Sequence, residues 1–171
     1  CRPDGPGLAA MGRKERNSLV NQAIESLFPR LRGIQYEITS PAQPDYNCIA
    51  WAAGDDSRWW EPDTFELYFW PEAVPRRYTL QAYAEAFRRE GFELCENATF
   101  EAGWEKVAIY TKEDDSPTHA ARQLADGDWT SKLGNQEDIR HADLDHLNGE
   151  HYGKPAIMLR RQRHGEALSS D

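Results

Sequence analysis

The stretch YNCIAWA, residues 46–52, places a cysteine where a helix is predicted to begin. Asn47 is a good N-cap residue, so Cys48 would be the first helical residue. Unpaired backbone N–H groups and the helix dipole stabilise a thiolate at that position. The sequence therefore predicts a reactive thiol with a lowered pKa at Cys48, on a helix that Gly54 ends.

A histidine further along the chain is the candidate partner of this thiol. His119 begins an alternating polar and apolar run that ends at Asp126-Gly127. A strand with this pattern would present the imidazole from one sheet face toward the Cys48 helix, within hydrogen-bond reach of the sulfur. Cysteine before histidine, and helix before strand, resembles the order in papain-like thiol enzymes.

The Asp126-Gly127 pair predicts a hairpin turn after the His119 strand. A two-residue turn would put Thr130 and Lys132 on the His119 face, whereas a three-residue turn with Gly127 in the bulge position puts Trp129 and Ser131 there, since a shift of one residue exchanges the faces. The spacing resembles the bacterial cell-wall-peptidase branch of papain-like enzymes, which implies that Ser131 orients the histidine. That branch more often has an imidazole, amide or carboxylate there, so Asp138 and His141 are substitutes.

A second resemblance covers roughly residues 19–159. NCIAWA, the Trp70-Pro71 dipeptide, EKVAIY and WTSKLG resemble a bacterial family of unknown function. The papain-like placement implies that His119 deprotonates Cys48, which attacks an amide or ester carbonyl and forms an acyl-enzyme. The Cys48 amide would stabilise the oxyanion, with Gln43 or Tyr46 as a second donor.

Aromatic residues without a helical or strand period fill residues 55–75. One interpretation is an ordered loop packed over the core. The other is an aromatic wall that contacts a peptide or acyl-type small substrate beside Cys48. The candidates for this wall are Trp59, Trp60 and Trp70, together with Phe69.

The order of patterns predicts an α+β fold of papain-like architecture, with helices followed by a mostly antiparallel sheet. An amphipathic helix capped by Asn17 or Ser18 should end at Pro29, and Thr79 should cap another that stops at Gly91. Residues 1–15 are expected to be a mobile tail, 16–160 a single domain and 161–171 a polar tail. The predicted strands lie around residues 34–38, 92–95, 107–110, 119–124, 129–133 and 156–159.

The net charge of −9 over 171 residues argues against nucleic acid or an anionic membrane as a partner. No export signal precedes Met11, so we expect a cytoplasmic protein. The three cysteines have no metal or disulfide spacing, so we expect no metal or cofactor and a buried, structural Cys95. Besides the thiol enzyme, an inactive papain-like binding module and an acidic partner-binding or inhibitor protein remain open.

Overall fold

The computed structural model describes residues 11–164, which form an α+β fold with three α-helices and one antiparallel sheet of seven strands. The helices are α1 (Arg13–Leu27), α2 (Cys48–Ala53) and α3 (Leu80–Arg89). The strands are β1 (Glu37–Ser40), β2 (Glu93–Cys95), β3 (Trp104–Thr111), β4 (Pro117–Gln123), β5 (Trp129–Lys132), β6 (Asp138–His141) and β7 (Lys154–Gln162). Two 3₁₀ turns span Pro29–Leu31 and Leu144–Leu147.

The sheet has the strand order β1-β6-β5-β4-β3-β7-β2 and carries a hydrophobic cluster on each face. The first cluster joins α2 and α3 to side chains such as Ile109 and Ala120. The second joins α1 and the 3₁₀ turns to Tyr110 and Ala121, which follow Ile109 and Ala120 in the sequence and point to the other face. Because successive strand residues point to opposite faces, the central strands are covered on both sides.

The hairpin between β4 and β5 has the three-residue form. The Leu124 amide donates to the Asp128 carbonyl at 2.7 Å, and Gly127 has a φ of 95°, the left-handed bulge conformation. This register pairs Arg122 with Thr130. Ser131 therefore lies on the same face as His119, as the three-residue alternative requires.

Both predicted ends of α2 and of α3 are confirmed. Asn47 Oδ1 accepts from the Ala50 amide at 3.1 Å, and Gly54 closes α2 with a φ of 90°. Thr79 caps α3, after which Gly91 has a φ of 88°. Local capping residues were therefore sufficient to predict where these two helices begin and end.

Pro29 ends α1 as expected, since the last helical residue is Leu27, but other boundaries differ from the sequence expectation. Helix α1 begins at Arg13 and not after Asn17 or Ser18, because residues 13–16 are good helix formers and the Glu15 carboxylate accepts from the Gly12 amide. The predicted N-terminal tail is therefore too long, and its first ten residues lie outside the described part. At the other end, β7 continues to Gln162. Residues 165–171 also lie outside the described part.

Strand β6 is absent from the sequence-based strands, and it is this strand that buries His141. The strand has only four residues and lies between β1 and β5, pairing with each of them. Cys95 is another correction: it is only partly buried, because β2 is a three-residue strand at the sheet edge.

Gly153 provides a test of how the segment after β6 is held against the sheet. A Cβ at Gly153 would lie 2.0 Å from the Thr111 carbonyl oxygen, and its φ is +76°. Gly33 has a similar φ of +73° but open space around it. We expect Gly153→Ala to lower the free energy of unfolding by roughly 3 kcal/mol, since overpacking adds to backbone strain, and Gly33→Ala by only about 1 kcal/mol. Urea denaturation measures both, and equal losses would contradict the close packing at Gly153.

Candidate active site

Cys48 is held at the start of α2 by the residue before it. The Asn47 side chain is buried; its oxygen caps α2 and its amide donates to the Trp60 carbonyl at 2.7 Å. The thiol lies at a cavity of about 450 Å³, and only 8% of the residue is exposed. On the sheet side, the backbone amide of Ala120 lies near the sulfur and lowers the pKa of the thiol. The cysteine is therefore fixed between the helix and β4.

The pKa of Cys48 is the opposite of the sequence prediction. Burial raises the pKa of the thiol to about 11, and this outweighs the amides of Ala120 and Ile49 and the charge of Lys132, which lower it. Desolvation disfavours the thiolate more than a six-residue helix favours it. The resting thiol is consequently neutral.

His119 is fully buried in β4 and directly precedes Ala120, the residue whose amide lies near the thiol. Its ring stacks on Tyr152, with centroids 4.2 Å apart and planes 6° apart, and contacts Tyr110 edge-on at 5.3 Å. These contacts place it with the second cluster and not on the face against which α2 packs. Nδ1 is buried without a hydrogen-bond partner among the described residues, so it is not hydrogen-bonded to the Cys48 sulfur.

The other nitrogen of His119 begins a chain of hydrogen bonds. His119 Nε2 lies 3.0 Å from Ser131 Oγ, which lies 2.8 Å from His141 Nε2. His141 Nδ1 lies 2.9 Å from the Asp143 carbonyl oxygen. The side chains of His119, Ser131 and His141, which form this hydrogen-bond chain, are all buried. The structure thus brings together His119, Ser131 and the substitute residue His141.

The carbonyl at the end of the chain fixes the direction of every proton in it. A carbonyl only accepts, so His141 Nδ1 donates, and neutral His141 must accept at Nε2. Ser131 then donates to His141 and accepts from His119 Nε2. His119 is left with a lone pair on Nδ1. Burial, with smaller contributions from His141 and His151, lowers the pKa of His119 well below its usual value, which keeps this imidazole neutral.

The remaining polar candidates form a separate network. Gln43 Nε2 donates to the Tyr46 hydroxyl at 2.9 Å, and that hydroxyl donates to Asp138 Oδ2 at 2.5 Å. The other oxygen of Asp138 lies 4.0 Å from the ammonium of Lys132, which is also fully buried. None of these four side chains lines the Cys48 cavity.

The aromatic candidates divide into two groups. Trp59 and Trp60 line the cavity with Cys48. Trp70 does not: it is buried against Tyr83, at 5.2 Å between ring centroids, and its indole N–H donates to the Pro75 carbonyl. Trp70 is therefore a core residue and not part of the cavity wall, which corrects the prediction for it.

Sequence reasoning missed three residues near the thiol. Lys132 lies on the face opposite His119, as the three-residue turn requires, and nothing in its neighbours in the sequence indicates that it is buried. Tyr152 is brought to His119 by the Gly149 and Gly153 bridge, a tertiary contact. Glu61 lines the cavity, and its place among Trp59, Trp60 and Pro62 was the one available signal.

The fold and these side chains define an α+β protein with a cavity-lining thiol and a buried histidine-serine-histidine chain. Residues 37–160 match the family described as a domain of unknown function, DUF7689, and the chain belongs to that family. This agrees with the resemblance to a family of unknown function. The comparisons with curated proteins and with solved structures give no match.

Two further observations concern residues 11–164 alone. None of their helices is both long and apolar enough to cross a bilayer. Within the same range, no three His, Cys, Asp or Glu side chains are grouped so that they could hold a metal ion.

The buried imidazoles predict how stability depends on pH. Burial lowers the pKa of His141 from 6.5 to about 4 and lowers that of His119 as well. A lowered folded-state pKa means that the unfolded chain binds the proton, so the stabilisation is complete above pH 6.5 and is lost as pH falls. We expect the free energy of unfolding to fall by about 1.4 kcal/mol per pH unit for each imidazole between pH 6.5 and 5, above the range where carboxylates titrate.

Urea denaturation across this range measures the slope. Replacing exposed His164 by Gln should leave the slope unchanged and serves as the control. A free energy of unfolding that stays constant from pH 6.5 to 5 would contradict the neutral, buried imidazole chain.

Proposed function

We propose that this chain is a papain-like cysteine hydrolase or acyltransferase, in which Cys48 attacks an amide or ester carbonyl and His119 is the general base. The observation that carries the proposal is the proton order of the buried chain, which leaves an unpartnered lone pair on His119 Nδ1. A general base needs such a lone pair. Most buried side-chain nitrogens have a hydrogen-bond partner, so an unpartnered one calls for an explanation, and catalysis supplies it here.

The Ala120 backbone amide lies near the sulfur and lowers its pKa, and Ala120 follows His119 directly in β4. Adjacent residues of a strand point to opposite faces, so the proposed pairing requires the imidazole and the sulfur to move together when substrate binds. Catalytic hydrogen bonds are often long in a substrate-free enzyme and tighten when substrate binds.

The resting state is a neutral thiol beside a neutral imidazole. As the Cys48 sulfur bonds to the substrate carbonyl carbon, His119 Nδ1 takes the thiol proton and the carbonyl electron pair moves to oxygen. His119 then gives this proton to the leaving amine or alcohol when the tetrahedral intermediate collapses to the thioester. Water or an amine attacks the thioester with the same histidine as base, and the Cys48 thiol is restored.

The surroundings stabilise the charges that develop in these steps. The backbone amides of Cys48 and Ile49 lower the pKa of the thiol, and the Cys48 amide is the oxyanion donor that we assign. Ser131 continues to accept from His119 Nε2 while the imidazole is protonated, so it keeps the ring oriented. His141 holds Ser131 in turn. Gln43 and Tyr46 are engaged with Asp138 and are weaker candidates for a second oxyanion donor.

A second candidate function is the inactive papain-like binding module. It is favoured by two observations. One is the thiol pKa of about 11, since an active cysteine commonly has a lowered pKa. The other is that His119 lies away from the sheet face against which α2 packs. In that case the cavity would bind a ligand without forming a covalent bond.

Acylation by p-nitrophenyl acetate tests the proposal. We expect release of p-nitrophenol in a burst with acetyl on Cys48, located by peptide mass spectrometry, while partly buried Cys95 reacts slowly and serves as an internal reference. His119→Ala should slow acylation of Cys48 by roughly 10²–10⁴-fold, the range for loss of a general base. Ser131→Ala should give a smaller loss, because the ring is then less well oriented.

Because His119 is fully buried, its removal could affect folding. Circular dichroism checks the fold, and added imidazole should restore part of the Cys48 acylation rate in His119→Ala but not change that of Cys95. Acylation of Cys48 at the same rate with and without His119, in folded protein, would refute the proposal and support the binding module.

A further inference from the structure

Glu61 lines the cavity beside Cys48 and is held in one orientation. Its Oε2 accepts from the Trp59 indole N–H at 3.0 Å, and its Oε1 accepts from the Tyr78 hydroxyl at 2.7 Å. The pKa of Tyr78 is raised to about 12, by burial and then by this carboxylate. Two neutral donors therefore position the carboxylate without neutralising it.

No basic side chain among residues 11–164 forms an ion pair with Glu61. Arg76 comes near, but its guanidinium binds the Asp63 carboxylate at 3.3 Å and the backbone carbonyls of Glu61, Asp63 and Tyr68. In the same described range, the cavity lining contains neither lysine nor arginine. The negative charge of Glu61 is thus available to a ligand.

The rest of the cavity wall is rich in aromatic rings. The lining includes Phe28, Trp59, Trp60, Tyr83 and Tyr152, with His151 at its edge. Aromatic faces attract cations through the ring quadrupole, most strongly when the cation is shielded from water. A carboxylate among such rings suits a positively charged organic group, whereas a second carboxylate would be repelled.

We infer that the substrate of Cys48 carries an organic cation, an ammonium or guanidinium group, which binds to Glu61 and the aromatic wall. The inference rests on the proposed function of Cys48 as the nucleophile. It specifies the substrate class as an amide or ester of a cationic compound. The net charge of −9 would add to the attraction at long range.

Charged thiol reagents test the inference without knowledge of the natural substrate. The three probes are trimethylammonioethyl, methyl and sulfonatoethyl methanethiosulfonate, which are cationic, neutral and anionic. Each reacts in the same way: the cysteine thiolate attacks the sulfenyl sulfur, a disulfide forms and methanesulfinate leaves. Peptide mass spectrometry gives separate rates for Cys48 and Cys95 in the full chain.

The cationic reagent should modify Cys48 faster than the anionic one, after division by the same ratio at Cys95. Glu61→Gln should lower this normalised ratio by roughly tenfold, since it removes one unit charge from a partly desolvated site. Glu72→Gln is the matched control, because Glu72 is exposed and outside the cavity lining. It should leave the ratio unchanged.

The outcomes separate this inference from the proposed function. A normalised ratio near one, or a ratio that Glu61→Gln and Glu72→Gln change equally, would overturn the cation site. His119→Ala should slow the reaction of all three reagents with Cys48 by the same factor. The normalised ratio of the cationic to the anionic rate should therefore stay unchanged. A rate insensitive to His119, with a ratio that still depends on Glu61, would retain the cation site and remove the general base.

Discussion

The hydrogen bond from His141 Nδ1 to the Asp143 carbonyl determines the chemistry that the site can perform. Because a carbonyl cannot donate, this single contact sets the proton positions on His141, Ser131 and His119 in sequence. The lone pair on His119 Nδ1 is the result. The serine, unusual at the orienting position of the papain-like site that we propose, becomes understandable as a link to a second imidazole.

Burial decides the charge state of the pair. The thiol pKa is raised and the imidazole pKa is lowered, so the neutral pair is favoured over thiolate and imidazolium. In the proposed reaction, proton transfer then accompanies carbon–sulfur bond formation. Buried Lys132, which lowers the Cys48 pKa and lies near Asp138, reduces the cost of the negative charge that develops on sulfur.

Local signals in the sequence were sufficient for some features and not for others. The Asn47 cap and Gly54 predicted α2, and Asp126-Gly127 predicted the hairpin that aligns Ser131 with His119. The thiol pKa was wrong because burial is a property of the whole fold. The burial of His141 was not predicted because four residues of β6 are too few to show a period, and their pairing with β1 and β5 is long-range. Trp70 was misassigned because aromatic residues without a period give no direction.

The proton on His119 is the central claim, and long-range ¹H–¹⁵N NMR correlation of the imidazole rings measures it directly. The account predicts a neutral His119 at pH 7 with its proton on Nε2 and a lone pair on Nδ1, and a neutral His141 with its proton on Nδ1. Ser131→Ala should remove this preference at His119. A His119 protonated on Nδ1, or on both nitrogens, in the wild-type chain would contradict the account.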